Sequence, residues 1–233
     1  MVFWSKFRDC VGMLAHSQLD RMIPMSTQKP LFVTFEGPNG SGKTTIVSNV
    51  ARELHVLGHD IVCTKEPTDS SLGDLLRKAE ELYRREVLAC IAAADRYFHI
   101  EQEIVPALTA GKTVLSDRYV ESSLVLQRLD GCTLEFIWNI NARILVPDLS
   151  VILLADPQTL EQRLAAERTR LSRFERSETR DREMRFYREA AEFIAQKGFN
   201  VLMLENDQCP IDDNSDRIVR EIQKLLQKKG ENS

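Results

Sequence analysis

The chain has 233 residues, 43% of them hydrophobic and 28% charged, enough to bury one α/β core without disulfides or metals, and no apolar run approaches the ~20 residues that cross a bilayer. A formal net charge of −4, from 31 basic and 35 acidic side chains, leaves any attraction to phosphate to local clusters and disfavours a nucleic-acid coat. Five cysteines, at 10, 63, 90, 132 and 209, are too dispersed for a disulfide framework or a zinc site and suit a reducing, cytoplasmic setting.

Residues 1–29 read as an N-terminal extension. Trp4 lies near Lys6 and Arg8, but Asp9 interrupts them and no apolar stretch of signal-peptide length follows. Met22 and Met25 stand just before the polar stretch Ser26 to Lys29, so the extension is either a disordered arm or translation from an over-extended start. One domain is expected over 30–228. Its first strand is LFVTFE at 31–36, and further strands are expected at IVCT (61–64), TVLSD (113–117), SVILLAD (150–156) and NVLML (200–204). Their continuous apolar character suits parallel strands covered on both faces. Helical patterns fill the intervals: about 43–57, 71–86, 88–109, 121–142, 157–170, 176–197 and 212–228. Asp156-Pro157 supplies a cap and a first-turn proline, and Gly111 and Gly198 fall where helices stop. The polar tail 229–233 is expected to fray. Strands alternating with helices imply an α/β domain of three layers around a parallel sheet.

Directly after the first strand stands Gly37-Pro38-Asn39-Gly40-Ser41-Gly42-Lys43-Thr44, followed by Thr45. It is a full match to the phosphate-loop pattern in the strand-to-helix setting that the pattern requires. The glycines let backbone N–H groups converge on phosphate oxygens at the positive end of a helix. Lys43 is expected to reach the β- and γ-phosphates of ATP, and Thr44 to offer a hard oxygen to Mg²⁺. No guanine-reading N-K-x-D segment exists, which argues against a GTPase switch. The roughly 190 residues downstream are few for a motor ATPase. A small phosphotransferase is the leading class. A second candidate cluster is Asp117-Arg118, at the end of the third expected strand and so at the carboxyl edge where open α/β sheets bind ligands.

Beyond the loop, the chain resembles bacterial-type thymidylate kinase from Pro30 to about Leu226. Four blocks carry the likeness: FEGPNGSGKTT (35–45), TKEPTDSSLGDLLR (64–77), AADRYFHIEQEIVPALTAGKTVLSDRYVESSLVLQ (93–127) and PDLSVILLADPQTLEQRL (147–164). LSRFE (171–175) is similar to the family's lid segment. The resemblance implies a P-loop NTPase fold with a five-stranded parallel core, a helical lid at about 166–182, and a homodimer. It implies Mg²⁺-dependent transfer of the ATP γ-phosphoryl group to a nucleoside monophosphate, dTMP giving dTDP. By that resemblance Arg118 and Lys65 would take the acceptor phosphate and Arg96 would meet the pyrimidine edge; Asp117, read from its own chemistry, is placed either to hold Mg²⁺ through water beside Thr44 or to orient the charged clamp. Glu36, Asn39, Ser123 and Gln127 would complete the acceptor site. Between 163 and 188 stand nine arginines against five acidic residues, and Arg168 and Arg173 match the lid pattern best as transition-state cations.

The departures from the family pattern concentrate on the acceptor. Lys65 stands where the family usually has Arg, which keeps charge and loses bidentate geometry. Asn39 replaces a loop carboxylate, Ala92 an aromatic that stacks on thymine, and Leu126 a tyrosine set near the sugar. An absent stacking ring forfeits roughly 1 to 3 kcal/mol. Two alternatives follow: a kinase for a ribose-bearing or bulkier monophosphate or other phosphorylated metabolite, and an ATP-binding regulatory protein with a decayed acceptor site.

Overall fold

The computed structural model describes residues 29–167, 180–207 and 210–231. Five strands, β1 (Phe32–Glu36), β2 (Ile61–Lys65), β3 (Thr113–Asp117), β4 (Leu149–Leu154) and β5 (Val201–Glu205), form one sheet in the order β2-β3-β1-β4-β5. Every pairing is parallel. The expected strands therefore form, each within a residue or two of its boundaries.

Side chains alternate across the sheet, as strand geometry requires. Val33 and Phe35 face a core with Leu115, Val151 and Leu153, covered by α1 (Lys43–Val56) and α9 (Ile211–Glu231). Phe32, Val114, Ile152 and Leu154 face the opposite core, against α5 (Val120–Leu129), α6 (Leu134–Ile140) and α8 (Arg180–Gln196). These are the three layers expected. Burial on both sides explains why the strands lack a polar alternation.

The helices are more broken than their patterns suggest. The segment 71–86 ends early as α2 (Ser71–Leu82), capped by Ser70, whose Oγ accepts from Leu72 and Gly73 N–H. Arg85 has φ 55°, which interrupts the helical path before α3 (Arg85–His99). The stretch 88–109 passes through a π-helical turn, Ile100–Ile104, into α4 (Val105–Thr109). The stretch 121–142 divides into α5 and α6, since Gly131 at φ 101° stops the first and Thr133 caps the second. At the C-terminus α9 runs to Glu231, past the helix end expected near 228, with Lys229 Nζ 2.7 Å from Asp148 Oδ1 and 3.2 Å from the Pro30 carbonyl.

The helix α7 (Pro157–Glu167) leads toward the expected lid and α8 resumes at Arg180. Most of 166–182, with Arg168 and Arg173, and residues 1–28 of the extension lie outside the described residues. Among the described residues, no helix is long and apolar enough to cross a membrane.

Candidate active site

The chain turns from β1 to β2 on one side of the sheet and from β3 to β4 on the other, so a crevice opens at the carboxyl ends of β1 and β3. A cleft of about 600 Å³ lies there, of nucleotide size. Asn39, Gly40, Gly42, Lys43, Thr44, Thr45, Lys65, Asp117 and Arg118 line it, together with Arg163, Leu164 and Ile211.

Close backbone approach dictates the glycines of the loop. At Gly37, φ is 142° and a Cβ would stand 2.1 Å from the Leu153 carbonyl oxygen. At Gly42, φ is 90° and a Cβ would meet Asn206 Nδ2 at 2.6 Å. That amide instead donates to the Ser41 carbonyl at 2.6 Å, and Asn214 Nδ2 donates to Asn206 Oδ1 at 2.9 Å. Arg163 of α7 donates to the carbonyls of Gly40 (3.2 Å) and Asn206 (3.1 Å). The loop is thus held from β5, α7 and α9. Ser41 Oγ is buried with no hydrogen-bond partner among the described residues, which suits a group left for a ligand. Lys43 Nζ folds back onto the carbonyls of Gly37 (2.8 Å) and Pro38 (2.9 Å). Burial first, and Arg118 next, push its pKa down to about 8.

On the β3 side, Asp117 Oδ2 accepts from Thr44 Oγ1 at 2.8 Å. Arg118 then takes φ 83°, an uncommon angle for a residue with a Cβ. Its N–H donates to the Phe35 carbonyl (2.9 Å) and its carbonyl accepts from Ser116 Oγ (2.7 Å), which hold it there. The guanidinium crosses to the phosphate loop: Nη2 donates to Asn39 Oδ1 at 2.5 Å and Nη1 to Ser122 Oγ at 3.0 Å. Two clusters 79 residues apart in sequence therefore share one wall.

Residues 35–218 match the family model for thymidylate kinase. The chain belongs to the thymidylate kinase family. It is accordingly a nucleoside monophosphate kinase, a transferase moving a phosphoryl group from ATP to dTMP to give dTDP. A probable thymidylate kinase from Staphylothermus marinus is 32% identical over 203 residues, covering 87% of this chain and 97% of the relative. One from Caldivirga maquilingensis is 36% identical over 151 residues, covering 63% and 73%. A thymidylate kinase from Clavibacter sepedonicus is 38% identical over 154 residues, covering 62% and 72%. The relatives are largely archaeal, so the narrower bacterial-type likeness is not set apart by these matches.

Other residues expected at the thymidylate kinase site lie deeper. Arg96 is 2% exposed. Its Nε and Nη2 meet Glu66 Oε2 at 3.1 and 2.8 Å, Nη1 donates to Asn141 Oδ1 at 2.8 Å, and Nη2 also reaches Ser123 Oγ at 3.0 Å. Its ion-pair partner is therefore Glu66 of the β2 exit; the neighbouring Asp95 binds Thr68 instead. His99, fully enclosed, lies 3.2 Å from the other Glu66 oxygen and 2.7 Å from Thr64 Oγ1. Gln127, one turn beyond Ser123 on α5, has a buried Oε1 with no hydrogen-bond donor among the described residues. Ala92 is packed against Leu76, Ala79 and Leu88, with Leu126 beside them, an aliphatic cluster at the two positions where the family pattern has rings.

Glu36, expected at the acceptor site, points inward. It is fully buried beneath the cleft, with Oε1 accepting from Tyr119 N–H (2.6 Å) and Ser122 N–H (3.1 Å), and Oε2 from Ser122 Oγ (2.8 Å). Burial, then the nearby Glu121 carboxyl, push its pKa up to about 7. Glu121 accepts from Thr34 Oγ1 (3.1 Å) and from Ser150 Oγ, and burial raises its pKa too. From α8, Tyr187 is enclosed against Arg118, and Glu183 contributes negative charge near Lys43. Sequence reasoning missed Arg163, Asn206, Glu183 and Tyr187; only the arginine-rich composition around 163–188 signalled the first.

Proposed function

We propose that this cleft holds ATP on the loop Gly37–Thr45 and the acceptor phosphate of dTMP on Arg118 and Lys65, so that the γ-phosphoryl group passes in line between them. The observation that carries the reading is the Arg118–Asn39 contact at 2.5 Å. It sets an acceptor-side cation on the donor-side loop, as direct transfer between two neighbouring phosphates requires. Lys43 Nζ leaves the Gly37 and Pro38 carbonyls for the donor phosphates, and the loop amides spread their charge. Thr44 Oγ1 and Asp117 are hard oxygen donors side by side, too few alone to enclose an ion, which fits Mg²⁺ that brings phosphate and water ligands with it. When bound, Mg²⁺ neutralises charge on the transferring group. Lys65, paired with Asp69 at 3.1 Å, lies across the cleft as a point charge. Arg168 and Arg173 would add cations on lid closure. Arg96, Ser123 and Gln127 would face the base, the Gln127 Oε1, unpartnered among the described residues, suiting a pyrimidine N–H.

The aliphatic packing around Ala92 and Leu126 supports a second reading, in which a different monophosphate is preferred. ADP release with ATP, Mg²⁺ and a panel of deoxy- and ribonucleoside monophosphates separates the two. The highest kcat/KM is expected for dTMP. A dTMP rate at background beside a fast alternative would overturn the dTMP assignment. The family also leads us to propose a homodimer in the cytoplasm, with sedimentation of the same preparation testing the dimer.

A further inference from the structure

Glu36 ends β1 at the cleft, yet its carboxylate lies beneath the cleft floor. The Ser122 hydroxyl links it to the site: Ser122 Oγ stands 2.8 Å from Glu36 Oε2 and 3.0 Å from Arg118 Nη1, while Tyr187 of α8 packs against the same guanidinium. A serine hydroxyl has one proton and two lone pairs, whereas a guanidinium has donors only. With the Ser122 proton directed at Glu36, the lone pairs face Arg118 and accept from it. The carboxylate therefore fixes the polarity of the row from Arg118 through Ser122 to Glu36. The two backbone N–H groups on Oε1 fix the carboxylate itself.

We propose that Glu36 is a positioning residue for the acceptor: through the Ser122 hydroxyl it aims the Arg118 guanidinium at the acceptor phosphate, and touches neither nucleotide. This rests on the assignment of Arg118 to that phosphate. A purely structural role, capping the start of α5, is distinguishable from it. In Glu36→Gln the amide oxygen still accepts from Tyr119 and Ser122 N–H, so the cap survives. The amide nitrogen, however, donates toward Ser122 Oγ, reverses the hydroxyl and turns its proton onto Arg118. Alignment is lost without loss of the cap.

Steady-state kinetics of Glu36→Gln, Ser122→Ala, the double variant and Arg118→Lys, with melting curves for each, test the proposal. Glu36→Gln and Ser122→Ala are each expected to raise the KM for dTMP about 10-fold while kcat and the KM for ATP stay within about twofold. The double variant should be no worse than Glu36→Gln alone, because both changes break the same row. An unchanged dTMP KM in Ser122→Ala, which keeps the carboxylate and the cap, overturns the proposal even if Glu36→Gln fails to fold. So do additive effects in the double variant, and so does an equal loss in kcat and both KM values. If Arg118→Lys raises the dTMP KM while the other two leave it alone, the positioning role fails and the Arg118 assignment stands. If Arg118→Lys leaves it unchanged, the Arg118 assignment itself fails.

Discussion

At the scale of single residues, burial makes Glu36 hold its proton up to about pH 7, against an ordinary value of 4.5. The groups facing it are Glu121 from α5, Arg118 from the β3 exit, Lys43 from α1 and Tyr187 from α8. Between pH 4.5 and about 7 the folded chain therefore binds a proton that the unfolded chain has lost. The stability this supplies is complete below 4.5 and is lost as pH rises through 7. Activity has the opposite slope if ionised Glu36 aligns Arg118. Melting temperature should fall, and kcat/KM for dTMP rise, as pH increases from about 5 to 7.5, and Glu36→Gln should flatten both curves. Profiles identical in wild type and variant would show that another group titrates. The family resemblance marked Glu36 as an acceptor-site residue, but its direction depends on Tyr119 and Ser122, more than 80 positions away, and no local pattern encodes that.

At the scale of elements, the legible features were those written within one segment. The glycines, Lys43 and Thr44 form a contiguous pattern, and Asp117-Arg118 follow an apolar strand. Helix breaks were less legible: the π turn at Ile100–Ile104 is a change of backbone register that leaves apolar spacing nearly intact. Contacts that close the site between elements were not legible at all. Asn206, at the end of β5, reads as loop polarity, yet it carries the Ser41 carbonyl on one side and receives Asn214 of α9 on the other. Asn206→Ala leaves two buried partners unmatched and should cost about 1 to 3 kcal/mol of stability. It should also raise the KM for ATP several-fold and leave that for dTMP unchanged, since it loosens only the donor loop. Denaturant unfolding with both Michaelis constants checks this; a rise in the dTMP constant of the same size would mean that the loop and the acceptor wall move as one unit.

At the scale of the whole molecule, the sheet order β2-β3-β1-β4-β5 does the functional work. It sets β1 and β3 side by side, so the loop after one and the Asp117-Arg118 pair after the other meet in one cleft. The layered fold was legible because the apolar strands, of which β1, β3 and β4 are buried along their whole length, need helices on both faces to cover them. Acceptor choice was less legible, because Ala92 and Leu126 show what is missing from the family pattern and not what fills the space. ADP formation from ATP and Mg²⁺, with and without dTMP, by wild type and Lys43→Ala side by side, tests the transfer reaction most directly. Turnover that depends on dTMP in wild type and falls by about 100-fold or more in a variant that still melts cooperatively is the expected result. Comparable rates in the two proteins, or wild-type turnover indifferent to dTMP, would contradict it.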